Sequence, residues 1–347
     1  MKLLHQGSVK DIYQGSPENE LSSPESSGSD ALLFRFSNRY SIFDWGQMPD
    51  AIPGKGAALA KMGGKLLQYL HENGYKTHFL RMGENPEDMI VKSVDVPRDN
   101  HARYRERPIH TLVPLEVIYR FGVPKGSSLL KKYKTEADWK NAGFDRAYAE
   151  GDDFTDIAID VTTKLEKLDR PLTALEAQEL SHLTPTEWKN LLQDTRTLAR
   201  EIHTVFSRAG LKLWDGKFEF AFGALTREGA REFVLVDSIG LDEIRLTFDG
   251  LPLSKELLRQ QYLNTEWYQN LEKAKKLDPV NFRKHCEEVL HSSPRPLSSE
   301  MVSATSTLYS AVADLILNEN QAEVEALHKK LQQSLETLTR SHPGVKP

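Results

Sequence analysis

The segment from Leu211 to Ile239 limits the fold more than any other part of this chain. LKLWDGKFEFAF and REFVLVDSI flank the polar turn TREGA, and both runs are rich in aromatic and β-branched residues, which predicts two paired strands. Alternation sends Asp215, Lys217 and Glu219 to one face and Phe218 and Phe220 to the other. The second strand ends in Asp237, so the hairpin can set Glu219 and Asp237 side by side as hard oxygen ligands for Mg2+, with Lys217 beside them for a phosphate or carboxylate. The same pattern suits a solvated strand face carrying cross-strand ion pairs, and alternation alone does not separate the two.

The rest of the chain supplies both strands and helices. Residues 8 to 13 and 31 to 37 predict strands, separated by a Gly/Ser/Pro/acid stretch at 15 to 30 that can bury little apolar area and is expected to be a mobile loop. After IPGKG, the spacing of Leu59, Met62, Leu66, Leu67 and Leu70 predicts a helix closed near Gly74. Two β-rich runs follow, Met89 to Val96 and Thr111 to Tyr119, joined by the charged connection PRDNHARYRERP. An acidic loop is then expected before TTKLEKLD. Thr184-Pro185-Thr186-Glu187 has the form of a capping box and starts a helix expected to run to about Arg208, with Gly210 ending it. From Ser254 onward the pattern is helical, broken at SSPRPLSS, and the last helix carries Val324, Leu327, Leu331, Leu335 and Leu338 on one face.

Composition removes several classes. Lys+Arg number 45 against 50 Asp+Glu, a net charge of -5, so no overall basic field exists to gather nucleic acid or an anionic membrane. Any anion has to be held by a local cluster. The only cysteine, Cys286, permits neither an intramolecular disulfide nor a multi-cysteine zinc site, which suits a reducing cytosol. No apolar run approaches a signal peptide's core or the ~18 residues of a membrane span, so a cytoplasmic protein is expected.

Further candidates are scattered. Arg120 with Gly126-Ser127-Ser128, and Arg245 after Asp242, offer guanidinium forks, hydroxyls and backbone donors for a phosphate monoester. Lys10, Lys55 and Lys92 are point charges suited to ATP phosphates. The GKG turn lacks the GxxxxGK[ST] frame of a P-loop, and no HExxH, GxSxG or GxGxxG is present.

In order along the chain, these pieces resemble the SAICAR synthetase family. GSVKDIY is similar to its opening strand, NRYSIFDWGQMPDAIPGKG to its Ser-x-Phe-Asp segment and turn, and EVIYR with GSS to its hydrophobic-Arg then Gly-Ser element. TTKLEKLD resembles its Thr-Lys-x-Glu stretch, DGKFEF its Asp-x-Lys-x-Glu-Phe strand, DSIGLDEIR its later Asp, Asp and Arg, and LSKELLRQQYL its Lys-x-x-x-Arg segment. The resemblance covers roughly residues 4 to 268.

It implies an α+β, ATP-grasp-like fold. Residues 1-110 would form an N-terminal β-rich ATP-binding lobe, 111-260 a central lobe with the metal and substrate site, and 261-347 a helical C-terminal region. By that resemblance Lys10 and Lys92 face ATP, and Glu219 with Asp237 holds Mg2+. Arg120, Ser127 and Arg245 clamp the ribose phosphate of an imidazole ribonucleotide. Ser41, Asp44, Lys55 and Asp169 contribute to substrate binding, and Lys217 with Asp242 lines the reacting end. The implied activity is ATP-dependent amide formation between carboxyaminoimidazole ribonucleotide and L-aspartate through an acyl phosphate, by a monomer or homodimer. A relative joining a different amine or carboxylate, and a non-catalytic nucleotide-binding protein, remain open alternatives.

Overall fold

A computed structural model describes residues 1–14, 31–98, 100–166, 169–253 and 255–340 of the 347-residue chain. The expected loop at 15 to 30 lies outside the described residues.

The first sheet contains β1 (Lys2–Gln6), β2 (Lys10–Gln14), β3 (Ala31–Phe36), β4 (Phe79–Met82) and β5 (Asp88–Lys92), in the order β1-β2-β3-β5-β4. All its pairings are antiparallel, and register places Lys10 opposite Phe36 and Lys92 opposite Ala31. The helix Lys55–Glu72 covers one face with Leu59, Met62, Leu66, Leu67 and Leu70, the residues its spacing predicts. Gly56 is required at its start, because a Cβ there would lie 2.6 Å from the Phe36 carbonyl oxygen.

The second sheet holds β6 (Thr111–Gly122), β7 (Asp153–Thr163), β8 (Pro171–Leu172), β9 (Lys212–Leu225), β10 (Arg231–Val236), β11 (Ile244–Phe248) and β12 (Leu251–Pro252). The order is β12-β11-β9-β6-β7-β8, with β10 also paired to β9. The long strand β9 shares one edge between two partners, β11 along its first half and β10 along its second. The helix Pro185–Arg208 starts at the expected capping box, where the Thr184 hydroxyl accepts from Glu187 N–H, and buries Leu191, Leu198, Ala199, Ile202 and Phe206.

Strand β7 corrects the expected acidic loop. Asp156 and Asp160 occupy positions that alternate with Ile157, Ile159 and Val161, so acids on one face hide a strand rhythm. Strands β1, β4, β8, β11 and β12 were not anticipated, and β5 ends at Lys92, short of the expected Val96. The charged connection after it contains a 3-10 turn at His101–Glu106.

The C-terminal helices Ser299–Leu315 and Gln321–Arg340 pack on each other, and the first also packs on Lys55–Glu72. Leu327, Leu331, Leu335 and Leu338 are buried, so the last helix covers its own chain's core. The sheets meet at a parallel bridge between Thr77 and Leu235 and at another between Asp95 and Thr111. No helix among the described residues is long and apolar enough to cross a membrane.

Candidate active site

A cavity of about 330 Å³ opens where the two sheets meet. The first sheet contributes Lys10, Ile12, Leu32, Phe34 and Lys92; the second contributes Leu112, Lys217, Glu219 and Val236, followed by Asp237. The size falls at the lower end of small-molecule pockets. Ile12, Leu32, Phe34, Val94, Leu112 and Val236 give it apolar walls suited to a planar base, and its charged residues suit phosphates.

Register builds the charged part. Glu116 on β6 and Glu219 on β9 are direct cross-strand partners, and Val236, the residue before Asp237, stands opposite Glu219. Lys164, just past the end of β7, donates to Glu116 Oε1 at 2.9 Å and Glu219 Oε1 at 2.6 Å. Lys217 donates to the same Glu116 oxygen at 2.9 Å. Lys10 donates to the Asp237 carboxylate and lies 3.4 Å from Ser238 Oγ.

The four carboxylates around the cavity do not share one electrostatic state. Burial, reinforced by the Asp237 charge, pushes the Glu219 carboxyl well above the ordinary range. Asp237 is as buried, but Lys10 and Lys164 override that cost and hold it low. Burial would raise Glu116 too, yet Lys217 and Lys164 bring it below its ordinary value. Glu243 also lines the cavity, and burial raises its carboxyl to about 7. Burial disfavours the lysine charges as well, but Glu219 and Glu116 keep Lys164 protonated, as Glu116 does Lys217.

Two buried carboxylates that oppose each other's ionisation are relieved by a divalent cation. Mg2+ binds through one or two carboxylates and fills its shell with water and phosphate oxygens, so the Glu219 and Asp237 pair fits it. No group of three or more His, Cys, Asp or Glu side chains suited to a metal occurs among the described residues, so such a site depends on phosphate oxygens for completion.

A second polar row crosses the same sheet. Arg120 and Arg245 both stand opposite Asp215, from β6 and β11 on either side of β9. Arg120 donates from Nε to Asp160 at 3.0 Å and from Nη1 to Asp215 at 3.1 Å, and Arg245 Nε donates to Asp215 at 2.7 Å. Arg245 also lines a separate cavity of about 470 Å³ with Lys212, Trp214 and Thr247. Ser127 is buried, and its hydroxyl caps the short helix Ser128–Lys132 by accepting from Leu129 N–H.

The remaining predicted residues lie elsewhere. Lys55 and Asp242 meet each other: the Lys55 ammonium donates to Asp242 at 2.6 Å and to the Arg39 carbonyl at 3.1 Å, both side chains are fully enclosed, and Tyr309 donates to Asp242 at 2.8 Å. Burial lowers the Lys55 amine, partly offset by Asp242. Ser41 is half-buried, while Asp44 is exposed, in a left-handed turn, and 3.3 Å from Lys275. Asp169 is at the surface within electrostatic reach of Glu116, Lys164 and Lys217, its carboxyl raised by desolvation and by Glu116.

Sequence reasoning did not single out Glu116, Lys164, Glu243 or His78. Glu116 carried a signal in standing four residues before Arg120 and so on the same strand face, and Lys164 in being the lysine of the Thr-Lys-x-Glu stretch.

The two sheets of this α+β fold meet at a cavity whose lining includes lysines and paired carboxylates, a setting suited to a phosphorylated ligand. A sequence profile of SAICAR synthetases matches residues 3–276, and the chain belongs to the SAICAR synthetase family. It is 34% identical over 322 residues to the putative phosphoribosylaminoimidazole-succinocarboxamide synthase of Archaeoglobus fulgidus, covering 88% of this chain and 93% of the relative. The fold resembles SAICAR-synthase from Saccharomyces cerevisiae complexed with SAICAR, at TM-score 0.57 and 20% identity over 98% of this chain and 95% of that one. It also resembles a SAICAR synthetase in complex with ADP, at TM-score 0.55 and 20% identity over 84% of this chain and 99% of that one.

Proposed function

We propose that this chain joins the carboxylate of carboxyaminoimidazole ribonucleotide to the amine of L-aspartate at the expense of ATP, a step of purine biosynthesis in the cytoplasm. The observation that carries this reading is the cavity between the sheets that gathers Lys10, Lys92, Lys217, Glu219 and Asp237 from segments far apart in sequence.

A carboxylate is a poor electrophile, and its oxygen is a poor leaving group until it is phosphorylated. One carboxylate oxygen of the imidazole attacks the γ-phosphorus of ATP, ADP departs, and an acyl phosphate remains. The neutral amine of aspartate then attacks the acyl carbon, the C–O bond to phosphate breaks, the departing phosphate takes up the proton the nitrogen loses, and the amide forms. Lys10 and Lys92 would steady the nucleotide phosphates, while Lys217 would face the carboxylate being activated. Glu219 and Asp237 would hold Mg2+, which when bound offsets negative charge on the phosphates. Arg120 and Arg245 would grip the ribose phosphate through their planar forks. Lys55 and Asp242, enclosed as a pair, would support this surface from behind.

The test is ADP release by the purified protein with ATP, Mg2+, carboxyaminoimidazole ribonucleotide and aspartate, omitting each in turn. Turnover that requires all of them is expected. Release that fails with aspartate yet appears with another amine would assign a different nucleophile, and no release with any amine would leave only nucleotide binding.

A further inference from the structure

His78 lies at the seam between the sheets, one residue beyond the Thr77–Leu235 bridge. Its backbone N–H donates to the Leu235 carbonyl at 3.0 Å, and its own carbonyl accepts from Lys92 N–H at 2.6 Å. The ring is buried, with Nε2 2.8 Å from the Asp237 carbonyl oxygen. A carbonyl can only accept, so Nε2 carries the hydrogen in this contact. The ring also stands edge-on to Phe34 at 5.6 Å, and the Lys10 ammonium sits 5.0 Å from the centre of that same phenyl ring. The His78 ring thus touches the Asp237 carbonyl and the Phe34 ring beside Lys10, while its backbone holds Lys92 N–H.

Asp237 most needs such a brace. Its φ is 67°, in the left-handed region that a residue bearing Cβ seldom occupies unless its surroundings hold it there. At this position β10 ends and the Asp237 side chain turns toward Lys10 and Glu219. The Asp237 carbonyl belongs to the peptide plane that leads into Ser238, so anchoring it fixes ψ of Asp237 and holds the left-handed turn in which the carboxylate meets Lys10.

We propose that His78 is a positioning residue for nucleotide binding: by donating from Nε2 to the Asp237 carbonyl it fixes the turn that aims the Asp237 carboxylate into the cavity. This rests on the reading of the cavity as the ATP site. The role requires a donor at one point in space and no charge. Glutamine can supply that donor, since its terminal amide nitrogen reaches about as far as Nε2. Leucine fills similar volume without one, and asparagine carries a donor too short to reach.

The test compares H78L, H78N and H78Q with the wild-type protein by calorimetric titration with ATP and Mg2+, by the KM for the imidazole ribonucleotide, and by Tm. H78L and H78N are expected to weaken ATP binding roughly tenfold, the scale of one buried hydrogen bond, with the KM for the imidazole ribonucleotide unchanged. H78Q is expected to stay close to wild type. H78N provides the loss variant should H78L fail to fold. Unchanged ATP binding in H78N, equal losses in H78N and H78Q, or equal weakening of both substrates would each overturn the positioning role. A wild-type protein that bound no ATP would remove the ligase reading itself, and this inference with it.

Discussion

The two ends of the β9–β10 hairpin hold their glutamates in opposite ways. At the turn end, Glu187 accepts five hydrogen bonds: from Arg231 N–H, Nε and Nη2, from Thr184 N–H, and from Arg107 Nη2. Arg231 is enclosed as well, with its guanidinium 3.7 Å from the Phe222 ring centre. At the open end, Glu219 is also buried but accepts one hydrogen bond, from Lys164, among the described residues. The carboxyls respond accordingly. Burial would raise Glu187, but Arg231 and the backbone donors bring it down to about 2, whereas Glu219 is driven up. A carboxylate with all its lone pairs satisfied locks architecture. One held short of partners keeps coordination free for a ligand.

This contrast predicts that the two glutamates fail differently. Glu187→Ala should cost about 3–5 kcal/mol of stability, because it strands a buried guanidinium. Unfolding in denaturant would show this, and the soluble fraction should retain its turnover. A loss below about 1 kcal/mol would mean that the pair is no lock. The pH dependence carries the same signature. Since the folded carboxyl lies near 2 against an ordinary 4.5, its contribution is complete above about pH 4.5 and drains away as pH falls toward 2. Glu187→Gln should flatten that acid limb of the Tm profile, and an unchanged limb would place the proton uptake elsewhere.

Glu219→Gln should do the reverse. Removing a poorly compensated buried charge should leave Tm equal or higher, while turnover with Mg2+ falls by about 10²–10³, the scale of one preorganised electrostatic group. Activity at the wild-type level would detach Glu219 from the nucleotide site altogether.

How much of this was legible follows from sequence distance. The Asp215, Lys217 and Glu219 face was visible because a period of two is a local property of one strand. The capping box at Thr184 and the apolar stripe of the Lys55–Glu72 helix were visible for the same reason. What stayed hidden depends on register between distant strands. Glu116 meets Lys217 across 101 residues, and Lys55 meets Asp242 across 187. No periodicity records which segments will be neighbours: the resemblance assigned Lys55 to substrate binding and Asp242 to the reacting end, and only the fold shows that the two side chains meet. Strand β7 escaped because its acids disguised the alternation, and His78 because a lone histidine carries no pattern.

The arginine row is intermediate between the two hairpin ends. Arg120 has partners in Asp160 and Asp215, yet Asp215 is shared with Arg245, so two guanidinium groups divide one central carboxylate. The row is ordered like the Glu187 lock but keeps donor capacity like the Glu219 site, which suits an anion that arrives with its own acceptors. Arg120→Ala should therefore raise the KM for the imidazole ribonucleotide by about 10- to 100-fold, the range for hydrogen bonds to a charged group, with the KM for ATP little changed. Because Asp160 and Asp215 also lose a donor, a modest fall in Tm should accompany it. Equal loss for both substrates would join the row to the nucleotide cavity, and a fall in Tm with neither KM altered would make it a second lock.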